Sequence, residues 1–204
     1  MSVKLKNSET KLNLMRAFAG ESQARNRYTF AAEEARKQHL YAIEATFLFT
    51  AGQEKEHAGI FYQHLQELAG ETITIDGGYP IDLSASVAEL LRSAHHNEYE
   101  EYGDIYKNFA EIAEQEGFSQ VAASFRMIAA IEKIHGDRFK SLADLLEQNK
   151  LFVSDVECHW MCLNCGHTFS GKAAPEICPV CKHEQGYFIR LTLAPYTDVQ
   201  MLQA

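Results

Sequence analysis

Apolar residues recur every three to four positions through most of the first 148 residues, and then the pattern stops. Leu12, Leu14, Met15, Phe18, Tyr28 and Ala32 form one such stripe and predict a first helix from about Ser8 to Gln38. A second helix, Leu40 to Ala69, meets Gly70 as a C-terminal stop. Asp76-Gly77-Gly78-Tyr79-Pro80 is a cluster of turn residues that breaks the pattern. A third helix starts near Asp82 or Ser84, either of which has a side chain able to cap it, and runs to about Glu116. Gly117 separates it from a fourth, about Ser119 to Gln148. From Asp155 onward Cys, Gly, Pro and aromatic residues replace the helical stripe. Two domains are expected: a helical bundle over residues 1–148 and a small non-helical module over residues 155–204, joined by a linker at 149–154.

Helix length decides the topology. A helix of about 30 residues is about 45 Å long. The stretch from Gly70 to Leu83, fully extended, spans roughly 46–50 Å. It is long enough to carry the chain back along the bundle, which a tight turn cannot do. The expected fold is an all-α four-helix bundle with a long crossover, of the ferritin-like kind.

The polar positions inside the stripes repeat. Glu54-Lys55-Glu56-His57 returns 78 residues later as Glu132-Lys133-Ile134-His135, and Phe61 returns as Phe139. Glu21 and Glu98 lie 77 apart. Residues i and i+3 share a helix face, so each Glu-x-x-His aims a carboxylate and an imidazole the same way. Two related hairpins, each giving one Glu and one Glu-x-x-His, make a dinuclear metal cage. Glu101 follows Glu98 at i+3, where the first half has Ala24, so the cage carries one carboxylate beyond two-fold symmetry. The candidate ligands are Glu21, Glu54, His57, Glu98, Glu101, Glu132 and His135, with Glu54 and Glu132 bridging and Glu21 and Glu98 terminal. Carboxylate and imidazole suit iron or manganese. Burying five carboxylates without cations would be very costly. Tyr28 and Tyr106 either aim hydroxyls at this site or serve only as core aromatics. His64 reads as a surface residue, and His95 and His96 as polar neighbours.

All five cysteines lie between 158 and 181. Cys162-x-x-Cys165 and Cys178-x-x-Cys181 suit one tetrahedral metal ion, iron or zinc, and spacing alone does not choose between them. Cys158 falls outside the pattern as a free thiol. Trp160, Phe169, Tyr187 and Phe188 are expected to form the module's core. A formal net charge of −9 argues against a nucleic-acid partner. No apolar run reaches the length of a membrane span, and Met1 to Leu12 lack a signal-peptide core, so a cytoplasmic location is expected.

A glutamate-rich bundle followed by a C-x2-C-x12-C-x2-C module resembles rubrerythrin over nearly the whole chain. The match rests on Ala19-Gly20-Glu21, Glu54-x-x-His57, Glu98-x-x-Glu101, Glu132-x-x-His135 and the four cysteines with Cys178-Pro179-Val180-Cys181. The resemblance implies a ferritin-like di-iron domain and a rubredoxin-like Fe(Cys)4 domain, hence two irons in the cage and one on the cysteines per subunit, with zinc a possible substitute. It implies reduction of hydrogen peroxide to water in oxidative-stress defence, with catalytic residues among the seven ligands and the two tyrosines. In the family one iron moves on reduction, exchanging a carboxylate for a histidine. By motif position that pair is Glu101 and His57. Electrons are expected from an NAD(P)H-dependent reductase or a rubredoxin. The cage lies about 20 Å from either bundle end, so delivery to a partner subunit is expected, and the resemblance likewise points to a head-to-tail homodimer or larger assembly. The sequence departs from the family at His96-Asn97, where small residues are usual, and at Lys182, where glycine is frequent. The alternatives are a ferroxidase or iron-handling ferritin relative, and a zinc-ribbon interaction protein on a helical scaffold.

Overall fold

The computed structural model describes residues 3–194. The last ten positions of the expected C-terminal module, and the first two of the chain, lie outside the described residues. Helix α1 runs Glu9–Lys37, and its N-cap Ser8 accepts the Lys11 N–H at 3.0 Å. Helix α2 runs Tyr41–His64 and α5 runs Ser119–Glu147. The third rod of the bundle has three parts: α3, Val87–Glu100; one π turn, Glu101–Ile105; and α4, Tyr106–Glu116. Gly117 closes it at φ +91°, a left-handed conformation natural to glycine.

Two helix ends differ from the sequence pattern. Helix α2 stops at His64 and is followed by a 3-10 turn at Gln66–Leu68. The third rod starts at Val87 and is capped by Ser86, not by Asp82 or Ser84. Both of those side chains are already engaged. Ser84 Oγ accepts the Ser86 N–H and donates to Glu89, while Asp82 receives Arg27 at 2.5 Å and Asn97 at 2.7 Å. The crossover is therefore a strap over residues 69–86, tied to the bundle by its polar side chains.

Helix α1 packs along α2, and α5 packs along α3 and α4, giving two hairpins face to face. The core they enclose is in two pieces. Tyr28, Phe47, Leu91, Phe139 and Leu142 belong to one. Leu14, Phe61, Tyr106, Phe125 and Ile128 belong to the other. The Glu and His side chains occupy the layer between them.

The C-terminal module is a three-stranded antiparallel sheet in the order β2-β1-β3, with β1 at Val153–Cys162, β2 at Thr168–Ala173 and β3 at Phe188–Arg190. Trp160, Phe188, Cys162 and Cys178 form its core, with Tyr187 packed at the edge. Phe169 does not join them. Its ring lies over Gly171 on the outer face of β2 and is 41% exposed. The join to the bundle is packed: Leu151 sits in the bundle core, Phe152 touches both cores, and Arg190 donates to the carbonyls of Lys150 and Val153. The module also leans on the α1–α2 turn. Tyr187 stacks on Tyr41 at 4.1 Å, and Glu184 accepts from the Tyr41 hydroxyl at 3.0 Å. Among the described residues, no helix is long and apolar enough to cross a membrane.

Candidate metal centres

Each helix of the bundle brings its acidic position to one level, and the i, i+3 geometry turns each Glu-x-x-His inward. Glu21, Glu54, Glu98, Glu132, His57 and His135 are all buried, none more than 5% exposed. Their ligand atoms fall into two groups, Glu21/Glu54/His57/Glu132 and Glu54/Glu98/Glu132/His135, with the atoms of each within 4.8 Å of one another. Glu54 and Glu132 belong to both groups, the arrangement of two carboxylates shared between two ions.

The distances are also those of ligand atoms gathered around a cation. His57 Nδ1 lies 2.9 Å from Glu132, 3.1 Å from Glu54 and 3.9 Å from Glu21. His135 Nδ1 lies 2.8 Å from Glu132, 3.0 Å from Glu54 and 3.8 Å from Glu98. Ligand atoms about 2.1 Å from one ion, at right angles, sit roughly 3 Å apart. Yet His135 Nδ1, both oxygens of Glu132, Glu21 Oε2, Glu54 Oε1 and Glu98 Oε2 are buried with no hydrogen-bond partner. Such atoms are costly to bury, and a metal ion at the point on which they converge would satisfy them.

A further set of groups holds these side chains from behind. Tyr106 donates to Glu21 at 2.6 Å and Tyr28 donates to Glu98, each reaching across to the other hairpin. Both phenols are held well above their usual range, by burial first and by the surrounding carboxylates second, so they stay protonated donors. Gln53 Oε1 sits 2.9 Å from His135 Nε2. A proton on Nε2 leaves the Nδ1 lone pair for metal. Gln53 was not singled out by the motifs; its place directly before Glu54 in the first Glu-x-x-His was the available signal. Gly136 was also missed. A Cβ there would meet the Tyr99 ring at 2.7 Å, so the glycine lets α5 approach the rod that carries Glu98.

Glu101 joins neither group. It opens the π turn and faces Gly20, where an added methyl group would lie 4.0 Å from the Glu101 Oε1. The cage thus has His57 turned in and Glu101 standing back. A π turn holds one residue more than an α turn. Its imprint is in the repeat: Glu21 to Tyr28 spans seven residues and Glu98 to Tyr106 spans eight. The added residue keeps Tyr106 in the place that Tyr28 holds in the other hairpin.

Electrostatics report the same shortage of positive charge. Burial and the neighbouring carboxylates hold Glu21, Glu98 and Glu101 well above the ordinary range. Burial also pushes Glu54 up, but His135 and His57 outweigh it and bring it down to about 2. Burial lowers both imidazoles, yet Glu132 and Glu54 raise His57 to about 9, and with Glu98 they raise His135 to about 12. With no metal, protons on the imidazoles stand in for the cations.

The second centre is at the tip of the module. Cys162 and Cys181 have their sulfurs 3.7 Å apart, as do Cys165 and Cys178, and all four lie within 4.8 Å. That is too long for a disulfide and close to the roughly 3.8 Å edge of a tetrahedron with bonds of about 2.3 Å. The two knuckles match: Cys162 N–H donates to His167 O and Cys178 N–H to His183 O, while Gly166 and Lys182 donate back to Cys162 O and Cys178 O. Gly166 has φ +77° and Lys182 φ +64°, so the lysine occupies a position where glycine is unstrained. Cys158 is a free thiol outside the cluster. His64 is half-buried against Ser124, His95 lies 3.0 Å from the Gly136 carbonyl, and His96 pairs with Glu100.

Comparison with known proteins follows this division. The family model "Rubrerythrin" matches residues 13–143, and "Rubrerythrin, rubredoxin-like domain" matches residues 160–189. The chain is 47% identical to rubrerythrin-1 of Clostridium acetobutylicum over 90% of its own length and 95% of that protein. It is 44% identical to rubrerythrin of Porphyromonas gingivalis, with 92% of each covered. Among solved structures, nigerythrin in a mixed-valence state superposes with a TM-score of 0.60 at 27% identity, over 93% of this chain and 88% of that one. The Glu/His cluster and the four-cysteine cluster are accordingly a di-iron site and a rubredoxin-like site. Both modules and nine-tenths of the sequence being matched, the chain belongs to the rubrerythrin family.

Proposed function

We propose that this protein reduces hydrogen peroxide to water in oxidative-stress defence, taking electrons one at a time through its four-cysteine iron. The observation that carries this reading is the pairing in one chain of a buried two-ion cage with a four-thiolate site. Oxidation of iron for storage requires no built-in electron donor, which makes the ferritin-like alternative the weaker one.

Bound in the cage, two irons supply Lewis acidity and a pair of one-electron redox steps. We assign Glu54 and Glu132 to both ions, Glu21 and His57 to one, and Glu98 and His135 to the other. Glu101, one turn beyond Glu98, would be placed to hold the first ion in place of His57. The apolar clusters on either side keep bulk water from the cage. Tyr106 and Tyr28 donate hydrogen bonds to the terminal carboxylates Glu21 and Glu98. Glu101, whose carboxyl is pushed up by burial and the neighbouring carboxylates when the cage holds no metal, lines a cavity of about 310 Å³ and would be placed to pass a proton between that cavity and the cage. Two electrons and two protons turn one peroxide into two waters.

Cys162, Cys165, Cys178 and Cys181 hold the third iron. Tyr41, against which that module leans, is thirteen residues along α2 from Glu54, about 20 Å. That span favours delivery to the cage of a partner subunit arranged head to tail, in a homodimer or larger assembly. The upstream donor is an NAD(P)H-dependent reductase or a rubredoxin, and the setting is the cytoplasm. Stopped-flow mixing of the reduced protein with peroxide and with dioxygen tests the function. Reoxidation of the di-iron centre no faster with peroxide than with dioxygen would refute it.

A further inference from the structure

The cavity that reaches Glu101 lies between α1 and the third rod and is roofed by the crossover strap. Gly20, Glu101 and Tyr106 line its inner side, and Gly77, Gly78, Tyr79 and Pro80 its outer side. Two other cavities, one beside Met15 and Leu68 and one beside Tyr41 and Cys181, touch none of the seven acidic and imidazole residues. A water's share of liquid is about 30 Å³, so a vestibule of about 310 Å³ does not itself select a molecule as small as hydrogen peroxide. Selection would fall to the side chains that stand between the vestibule and the cage.

Tyr79 lines this vestibule beside Gly20 and is held there from both sides. Its ring folds back on Gly77, where a Cβ would meet it at 3.1–3.3 Å, and its hydroxyl donates to the Arg16 carbonyl at 3.2 Å. Three residues before it, Asp76 receives Arg16 at 2.6 Å. Three residues after it, Asp82 receives Arg27 and Asn97. Asn97 belongs to the His96-Asn97 pair at which the sequence is read as leaving the family pattern, and it supplies one of the two ties at Asp82. A methyl group added at Gly20 would lie 3.8 Å from Tyr79 Cε1 and 4.0 Å from Glu101 Oε1. Gly20 therefore leaves space between the tyrosine ring and the carboxylate that any side chain there would take up.

We propose that Tyr79 is a specificity-determining residue whose pinned ring admits hydrogen peroxide to Glu101 and excludes organic hydroperoxides. The claim rests on the peroxidase reading for its substrate, but the constriction itself does not. An organic hydroperoxide that passes reacts with the same balance: the O–O bond breaks, and two electrons from the assay's reductant and two protons yield one alcohol and one water.

The test uses the iron-loaded full-length protein with two readouts. The first is kcat/KM for cumene hydroperoxide divided by that for hydrogen peroxide. The second is the rate at which 2,2′-bipyridine captures ferrous iron from the cage, with the visible band of the cysteine-bound iron as internal control. Tyr79→Ala is expected to raise the ratio about tenfold or more, the scale of a steric filter, and to speed bipyridine capture. Tyr79→Phe keeps the ring but loses its tie to the Arg16 carbonyl, and is expected to fall between the wild type and Tyr79→Ala on both readouts. Gly20→Ala, which favours the helix and clashes with nothing, is expected to slow capture and lower the ratio. Wild-type capture rates and ratios in both Tyr79→Ala and Gly20→Ala would overturn the proposal. If the wild type does not turn over hydrogen peroxide, the peroxidase reading fails and the capture rates alone decide on the constriction.

Discussion

With its cage emptied of metal, the protein should lose stability as the pH rises from 6.5 to 9. His57 is raised in the fold from 6.5 to about 9. A raised imidazole contributes stability that is complete below 6.5 and is lost as pH climbs through its folded value. At about 1.4 kcal/mol per pH unit, His57 accounts for a loss of about 3 kcal/mol over that window. His135, raised to about 12, has the same slope through the window and beyond it. The raised carboxyls of Glu21, Glu98 and Glu101 act with the same sign. Glu54, lowered to about 2, has spent its effect below pH 4.5. For a chain of this size His57's share alone is a fall in Tm of about 6–12 °C, and His135 adds a comparable one. The assay is thermal unfolding at pH 6.5 and pH 9 with the cysteine site kept full of zinc. That precaution matters because Cys181, brought down to about 5 chiefly by the His183 backbone N–H, would otherwise add stability as pH rises and mask the loss. Loading the cage should reverse the slope, since metal displaces the imidazole protons. His57→Gln should flatten the metal-free slope by about 1.4 kcal/mol per pH unit. A metal-free Tm that is level or rising across this range would show that the imidazoles do not carry the missing charge.

Gln53→Ala and Tyr106→Phe should each weaken metal binding in the cage about 10–100-fold while leaving the cysteine site unchanged, as read by chelator competition; unchanged affinity in both would remove their orienting role. Gly136→Ala would set a Cβ 2.7 Å from the Tyr99 ring, so the ring must shift, and should cost about 1–3 kcal/mol in denaturant unfolding, with no loss counting against the close approach of α5 to the third rod. Lys182→Gly should stabilise the iron-loaded module by up to about 1 kcal/mol, because a left-handed residue costs about 1–2 kcal/mol and glycine's added freedom returns part of that. Guanidinium unfolding followed by the visible band of the iron checks it, and a less stable variant contradicts the reading.

The side-chain period determined a great deal by itself. Four helices follow from apolar residues at helical spacing, and two residues three apart on a helix must share a face whatever surrounds them. Glu54 with His57, and Glu132 with His135, were therefore legible as pairs. Four cysteines in two short loops can hardly avoid one another once the loops fold, so that centre was legible too. The crossover was legible as a length, though not in its caps: Ser84 and Asp82 can cap a helix by type, and only their partners in the fold determine that they do not.

What the tertiary structure decided were contacts between segments distant along the chain, on which local periodicity is silent. Gln53 behind His135, Tyr28 on Glu98, Tyr106 on Glu21, and Arg27 with Asn97 on Asp82 join residues 15 to 85 positions apart. The π turn lies between these cases. Its extra residue is visible in the unequal spacings of the two halves, but a one-residue difference can equally reside in a loop. Only the packed bundle, which needs Tyr106 to face Glu21 across the cage, fixes it within the helix. The seating of Tyr187 on Tyr41 likewise depends on how two separately patterned units meet, a matter of shape and not of period.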